Sequence, residues 1–180
     1  MRKIIESTFV TLDGVVSTPE RWSAPYWDDE HSAYAAALLR DADALLLGRA
    51  TYEQFAGSWP KRSGDWYTDT MNALPKHVAS QTLTETAWNA EVLPGDAITA
   101  VKALKEQDGG HLLKFGTGSF SRSLLENGLV DEYHFWIFPV VAGQGTRLLD
   151  GLAQTQLVLV EATTFSSGIV VHKAVPHQHS

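Results

Sequence analysis

Unbroken apolar runs alternate along this chain with stretches in which apolar residues recur about once per helical turn. Lys3–Thr11, Ala44–Leu47, Lys76–Ser80 and His111–Phe115 are runs of the first kind and predict strands. Ala44-Leu45-Leu46-Leu47 shows no polar alternation, the pattern of a parallel strand covered on both faces. The second kind predicts helices from Asp28 to Arg40, about Ala50 to Ala56, about Trp66 to Ala73, Asp96 to Gly109 and Phe120 to Asn127. Asp28-Asp29-Glu30 places negative charge where the helix dipole favours it. Gly109-Gly110 and Asn127-Gly128 are C-terminal stops. Leu12–Trp27 and Gln81–Pro94 are irregular, with a short strand expected at Ala90–Leu93.

From Asp131 the pattern changes. Tyr133–Phe138 reads as a strand and Pro139–Gly151 as a glycine-containing loop. Leu157–Thr163 and Ile169–Val175 then form an antiparallel hairpin about Ser166-Ser167-Gly168. Alternating strands and helices followed by such a hairpin predict a three-layer α/β/α sandwich. Its central sheet is mixed, mainly parallel, and closed by the C-terminal hairpin. The 180 residues fit one domain, residues 1–175, with 176–180 as a flexible tail holding His177-Gln178-His179.

Two strand-to-helix turns carry the chemistry. After Leu47, Gly48 turns the chain into a helix whose first N–H groups lack partners, and Arg49 adds a positive charge there. An anion is favoured at such a place. The second unit is Leu112-Leu113-Lys114-Phe115-Gly116-Thr117-Gly118-Ser119. Two such turns suit one extended, multiply charged ligand across a sheet edge, and a dinucleotide cofactor is the expectation.

Composition narrows the field. A net charge of −7 without a lysine- and arginine-rich stripe argues against a nucleic-acid surface. The absence of cysteine excludes disulfides, thiolate metal sites and a cysteine nucleophile. The histidines show no helical metal-site spacing, and no metal is expected. No Gly-x-Ser-x-Gly elbow of a serine hydrolase occurs. Neither a signal peptide nor a membrane span is evident, so a cytoplasmic protein is expected.

The motifs resemble a known superfamily. Gly48-Arg49-Ala50-Thr51-Tyr52-Glu53 is similar to the Gly-Arg-x-Thr-aromatic-Glu motif of dihydrofolate reductases. Pro75-Lys76-His77-Val78-Ala79-Ser80 resembles the strand ending beside the cofactor's adenosine. Phe115-Gly116-Thr117-Gly118-Ser119 resembles the pyrophosphate loop. Leu12-Asp13-Gly14 and Leu39–Ala44 look closer to the riboflavin-biosynthesis branch, the C-terminal reductase domain of bifunctional deaminase-reductases, here as a stand-alone member.

This resemblance implies a dihydrofolate reductase-like fold, NADPH as cofactor and a pyrimidine- or pteridine-like substrate. It implies Arg49 at the 2′-phosphate, Gly48 and Thr51 at the helix start, and Ser80 and Thr82 near the ribose phosphate. Gly116, Thr117, Gly118 and Ser119 would donate backbone N–H groups. On the substrate side, Asp13 and Asp28 or Asp29 are the catalytic candidates. Trp27 is a stacking candidate, although Trp22 and Trp27 suit core packing equally. Pro139–Gly145 is either a nicotinamide-end loop or a surface turn. Glu53–Pro60 lacks the riboflavin branch's Asp-x-Pro-x-Leu segment. The leading activity is 5-amino-6-(5-phosphoribosylamino)uracil reduction. Dihydrofolate reduction is the alternative, and a non-catalytic NADP-binding protein the rival of another class. A homodimer is also expected from the family.

Overall fold

The computed structural model describes residues 1–177. The chain runs β1 (Ile4–Thr11), α1 (Asp29–Arg40), β2 (Ala42–Gly48), α2 (Arg49–Ser58), α3 (Trp66–Ala73), β3 (Lys76–Ala79) and β4 (Ala90–Val92). It continues through α4 (Ala97–Glu106), β5 (His111–Phe115), α5 (Ser119–Glu126), β6 (Glu132–Phe138), β7 (Leu157–Thr164) and β8 (Val170–Pro176). Short 3₁₀ turns at Pro19–Arg21 and Ala24–Tyr26 break up the first long loop. The strands form one eight-stranded sheet in the order β4-β3-β2-β5-β1-β6-β8-β7. β4 through β6 are parallel, and β8 and β7 close the sheet antiparallel, as the sequence pattern predicts.

Alternating side chains of the parallel strands feed two separate apolar layers, because successive residues of a strand face opposite ways. Ile4, Ala44, Leu46 and Leu112 pack with Val101, Leu104, Leu124 and Leu125 of α4 and α5. Ile5, Leu45, Leu47 and Leu113 pack on the other face with Leu39, Tyr52 and Met71 of α1, α2 and α3. β2 is therefore buried on both faces, which its unbroken apolar run requires. A third cluster gathers Trp136, Phe138, Phe165, Ile169 and Val171 beneath α1 and the first loop.

Helix starts follow the sequence closely. Asp28, Asp65 and Asp96 each cap a helix, accepting hydrogen bonds from the N–H groups of His31, Thr68 and Thr99. The C-terminal expectation needs one correction. Pro176 pairs with Leu157, and the His177 N–H donates to the Gln156 carbonyl at 3.1 Å, so the ladder extends to the first residues assigned to the tail. Residues 178–180 lie outside the described residues. α2 starts at Arg49 itself and runs to Ser58, two residues past the expected end, and α4 stops at Glu106, three residues short of Gly109. No helix among the described residues is long and apolar enough to cross a membrane.

Candidate functional site

The sheet's topology decides where a cleft can form. β2 leads into α2 on one face, whereas β5, its neighbour, leads into α5 on the other. β1, on the far side of β5, again leads to the α2 face through α1. Helices leaving adjacent strands on opposite faces open a crevice at the strands' carboxyl ends. Both glycine turns found in the sequence lie there.

At the β5 turn, Gly116 has φ +71°, and a Cβ there would sit 2.5 Å from the Thr51 hydroxyl of α2. Thr51 and Gly116 thus bring the two turns into contact, and glycine is required for both backbone and space. Gly118 is different: its φ of 164° is extended, and nothing lies within 4 Å of a Cβ built there. The Thr117 hydroxyl is buried without a hydrogen-bond partner among the described residues. A buried hydroxyl left unpaired is costly and is satisfied when a ligand supplies the partner.

At the β2 turn, Arg49 is exposed, its Nε donating to Glu53 at 2.7 Å and its guanidinium reaching the Thr82 hydroxyl. Ser80 lies just past β3, where its hydroxyl accepts from the N–H groups of Thr82 and Leu83 at 3.3 and 3.1 Å. The structure therefore brings Arg49, Ser80 and Thr82 together at the end of β3. It sets Gly48 beside Phe120 of α5. All nine cofactor-side candidates fall along this crevice.

The substrate-side candidates are more dispersed. Asp13 sits in the turn after β1, where its carboxylate accepts from the Thr11 hydroxyl at 2.5 Å and the N–H groups of Ala142 and Gly143 at 3.0 and 2.8 Å. These donors, Thr11 first, lower its pKa to about 2. An ionised, triply bonded carboxylate ties two loops together, and it is no proton donor at neutral pH. The same bonds make Pro139–Gly145 an anchored loop, and Leu12 N–H donates to the Val140 carbonyl at 2.8 Å. Asp28 is committed to capping α1, and Asp29 is exposed on its first turn. Trp22 is half-buried and packs edge-on against Phe138 of the third cluster (centroids 5.2 Å apart). Trp27 is 53% exposed and stacks on His31 at 5.6 Å and 20°.

His31 escaped the sequence reading. It lies between Trp27, Phe9 and Trp136, and its Nε2 is buried without a partner among the described residues. Burial lowers its pKa despite the nearby Asp28. Its position on the first turn of the first long helix, three residues after the cap, was the available signal.

Comparison with known proteins places this geometry. The RibD C-terminal domain family matches residues 2–171. The chain belongs to the RibD C-terminal domain family. This RibD C-terminal domain is 29% identical over 177 residues to the uncharacterized protein YyaP of Bacillus subtilis, covering 94% of this chain and 92% of YyaP. Its fold matches a putative riboflavin biosynthesis protein from Shewanella sp. PV-4, with TM-score 0.77, 18% identity and coverage of 98% and 99% of the two chains. A deaminase and 5-amino-6-(5-phosphoribosylamino)uracil reductase from Thermotoga maritima matches with TM-score 0.69 and 16% identity. That match takes in 98% of this RibD C-terminal domain but 57% of the longer chain. The expected α/β fold and family are thereby established.

Proposed function

We propose that this chain is an NADPH-dependent reductase acting on a flat nitrogen heterocycle of pyrimidine or pteridine type. The riboflavin-pathway aminopyrimidine is the leading substrate. One observation carries the reading: Arg49, Ser80 and Thr82 converge at one end of a crevice whose other wall is the Gly116–Ser119 loop. An arginine fork with two hydroxyls suits the dianionic 2′-phosphate of NADPH. Open space at Gly118 and the unpaired Thr117 hydroxyl suit a diphosphate laid against the loop and the first turn of α5. NADPH supplies the hydride. The chain's part is to bind and orient it and to exclude water. The aromatic end, with Trp27, His31 and Phe9, is where a planar ring would stack.

The test is fluorescence titration with NADPH and NADH, followed by cofactor oxidation with the aminopyrimidine and with dihydrofolate. Arg49→Ala should weaken NADPH about tenfold to a hundredfold, as expected for charge-assisted bonds to phosphate, and leave NADH nearly unchanged. Equal losses for both cofactors would refute the 2′-phosphate role. One observation favours the rival reading of a non-catalytic NADP-binding protein: the carboxylates of Asp13 and Asp28 are both held by backbone N–H groups. Tight NADPH binding with no turnover of either heterocycle is the result that would select it.

A further inference from the structure

A buried ion pair lies directly beneath the glycine loop and serves no role described so far. Glu6 of β1 and Lys114 of β5 are 0% and 2% exposed and sit opposite one another in the parallel register. The Lys114 Nζ is 3.3 Å from the Glu6 Oε2. It also donates to the Gly116 carbonyl at 2.7 Å and to the Ser121 hydroxyl of α5 at 2.6 Å. Both side chains lie in register on the face of the sheet that carries Ile4 and Leu112 toward the α4 and α5 layer, and the Thr8 hydroxyl donates to the Glu6 Oε1 at 3.4 Å. Tyr133, which neighbours Glu6 across β6, is fully buried with its hydroxyl unpaired among the described residues.

Stability is a poor reason for this arrangement. Replacing a buried ion pair by apolar side chains of similar volume is often neutral or stabilising. What the ammonium does locally is more specific. It holds the Gly116 carbonyl inward, toward the sheet. The peptide bond is trans, so its C=O and N–H point in opposite directions, and the Thr117 N–H is turned outward. With the carbonyl reversed, the loop would present an oxygen to an incoming phosphate. The bond to Ser121 ties the same ammonium to the first turn of α5, whose outward N–H groups form the rest of the cradle. The charge itself lies under the place where an anion would sit, in surroundings of low dielectric that screen it little.

We propose that Lys114, charge-balanced by Glu6, is a positioning residue for the diphosphate of the bound dinucleotide: it orients the Gly116–Thr117 peptide and supplies positive potential from below. This rests on the reading of the crevice as an NADPH site. It differs from the role of Arg49, which selects between the phosphorylated and unphosphorylated cofactors. Lys114 serves the diphosphate that NADPH and NADH share.

The experiment compares wild type, Lys114→Met and the double variant Glu6→Leu/Lys114→Met by fluorescence titration with NADPH and NADH, alongside thermal midpoints. Lys114→Met should weaken both cofactors by the same factor, about tenfold, preserving the preference set by Arg49. It strands Glu6, so its midpoint should fall. The double variant removes the stranded carboxylate and should recover the midpoint without recovering affinity. Where the single variant does not fold, the double variant carries the test. Wild-type affinity in the double variant would overturn the proposal, because the ion pair would then be structural. A loss confined to NADPH would also overturn it. Failure of wild type to bind either dinucleotide would overturn the cofactor reading and this inference together, whereas normal wild-type binding with an unaffected double variant sinks the Lys114 role alone.

Discussion

Gly116 and Gly118 are two residues apart and answer to different constraints. At Gly116, alanine would face both a left-handed backbone and the Thr51 hydroxyl at 2.5 Å. Gly116→Ala should therefore lose about 1–3 kcal/mol in denaturant unfolding, the usual cost of such strain. Gly118→Ala should leave stability within about 0.5 kcal/mol, since its backbone is extended and its Cβ meets nothing. It should still weaken NADPH if the diphosphate approaches the loop as proposed. A marked loss of stability at Gly118 would contradict the geometry. Lys76 shows a different residue-scale effect. Fully buried, it donates to the Asn72 carbonyl at 2.9 Å and lies over the Trp88 ring, and burial lowers its pKa to about 8. The unfolded chain holds that proton up to a pH near 10.4. The unfolded state thus binds more protons between about pH 8 and 10.4, and the residue's penalty, full at pH 7, fades as pH rises through that window. Lys76→Met should stabilise the protein by about 1–3 kcal/mol at pH 7 and by much less at pH 10.5. Equal gains at both values would show that charge is not the cause.

Among the elements, the loop after β6 is held to the turn after β1 by several bonds, of which the Asp13 carboxylate supplies two. Asp13 bonds the N–H groups of Ala142 and Gly143, and the guanidinium of Arg147 reaches back to the Asp13 carbonyl. Asp13→Ala should speed hydrogen exchange at Ala142 and Gly143 while leaving the β1–β6 ladder protected. Unchanged exchange at these two amides would refute the clamp. Because the donors hold the Asp13 carboxyl at about 2, well below its ordinary value, the clamp persists in mild acid and fails only as pH approaches that value. The start of α1 is fixed in a comparable way, with Asp28 capping it and Glu30 accepting from the Ser166 N–H at 2.7 Å in the turn between β7 and β8. That bond ties the C-terminal hairpin to the aromatic end of the crevice. A helix-start carboxylate is legible in sequence, but the distant turn that binds it is not.

For the molecule as a whole, buried histidines govern behaviour in mild acid. His31, His77 and His134 all have lowered pKa values, burial being the largest cause in each. Nearby carboxylates only partly offset it, Asp28 at His31, Glu91 at His77, and Glu132 and Glu161 at His134, while Arg2 at His77 and Lys173 at His134 add to the lowering. In the unfolded chain these histidines take protons near pH 6.5. The unfolded state then binds more protons than the folded one, so stability is full above about pH 6.5 and falls as pH drops through the histidines' folded values. Denaturant unfolding at pH 7.5, 6 and 5 should show a progressive loss, and a flat profile would refute the assignment.

The chain's own pattern determined more of this protein than its small set of motifs suggests. Alternation of unbroken and helix-spaced apolar runs specifies the element order. Capping aspartates and stop glycines mark the helix ends, and two glycine turns plus Arg49 mark the anion-binding end. All of these are local signals, expressed within a few residues by backbone sterics and the helix dipole. Tertiary structure alone decided the rest. It made Asp13 a clamp by bringing Ala142 and Gly143 to it from across the sheet. It packed a half-buried Trp22 against Phe138 while leaving Trp27 exposed, a choice that equal hydrophobicity cannot predict. It set Glu6 against Lys114 beneath the second glycine turn, because strand register is fixed by which faces are buried and not by either residue's neighbours in sequence.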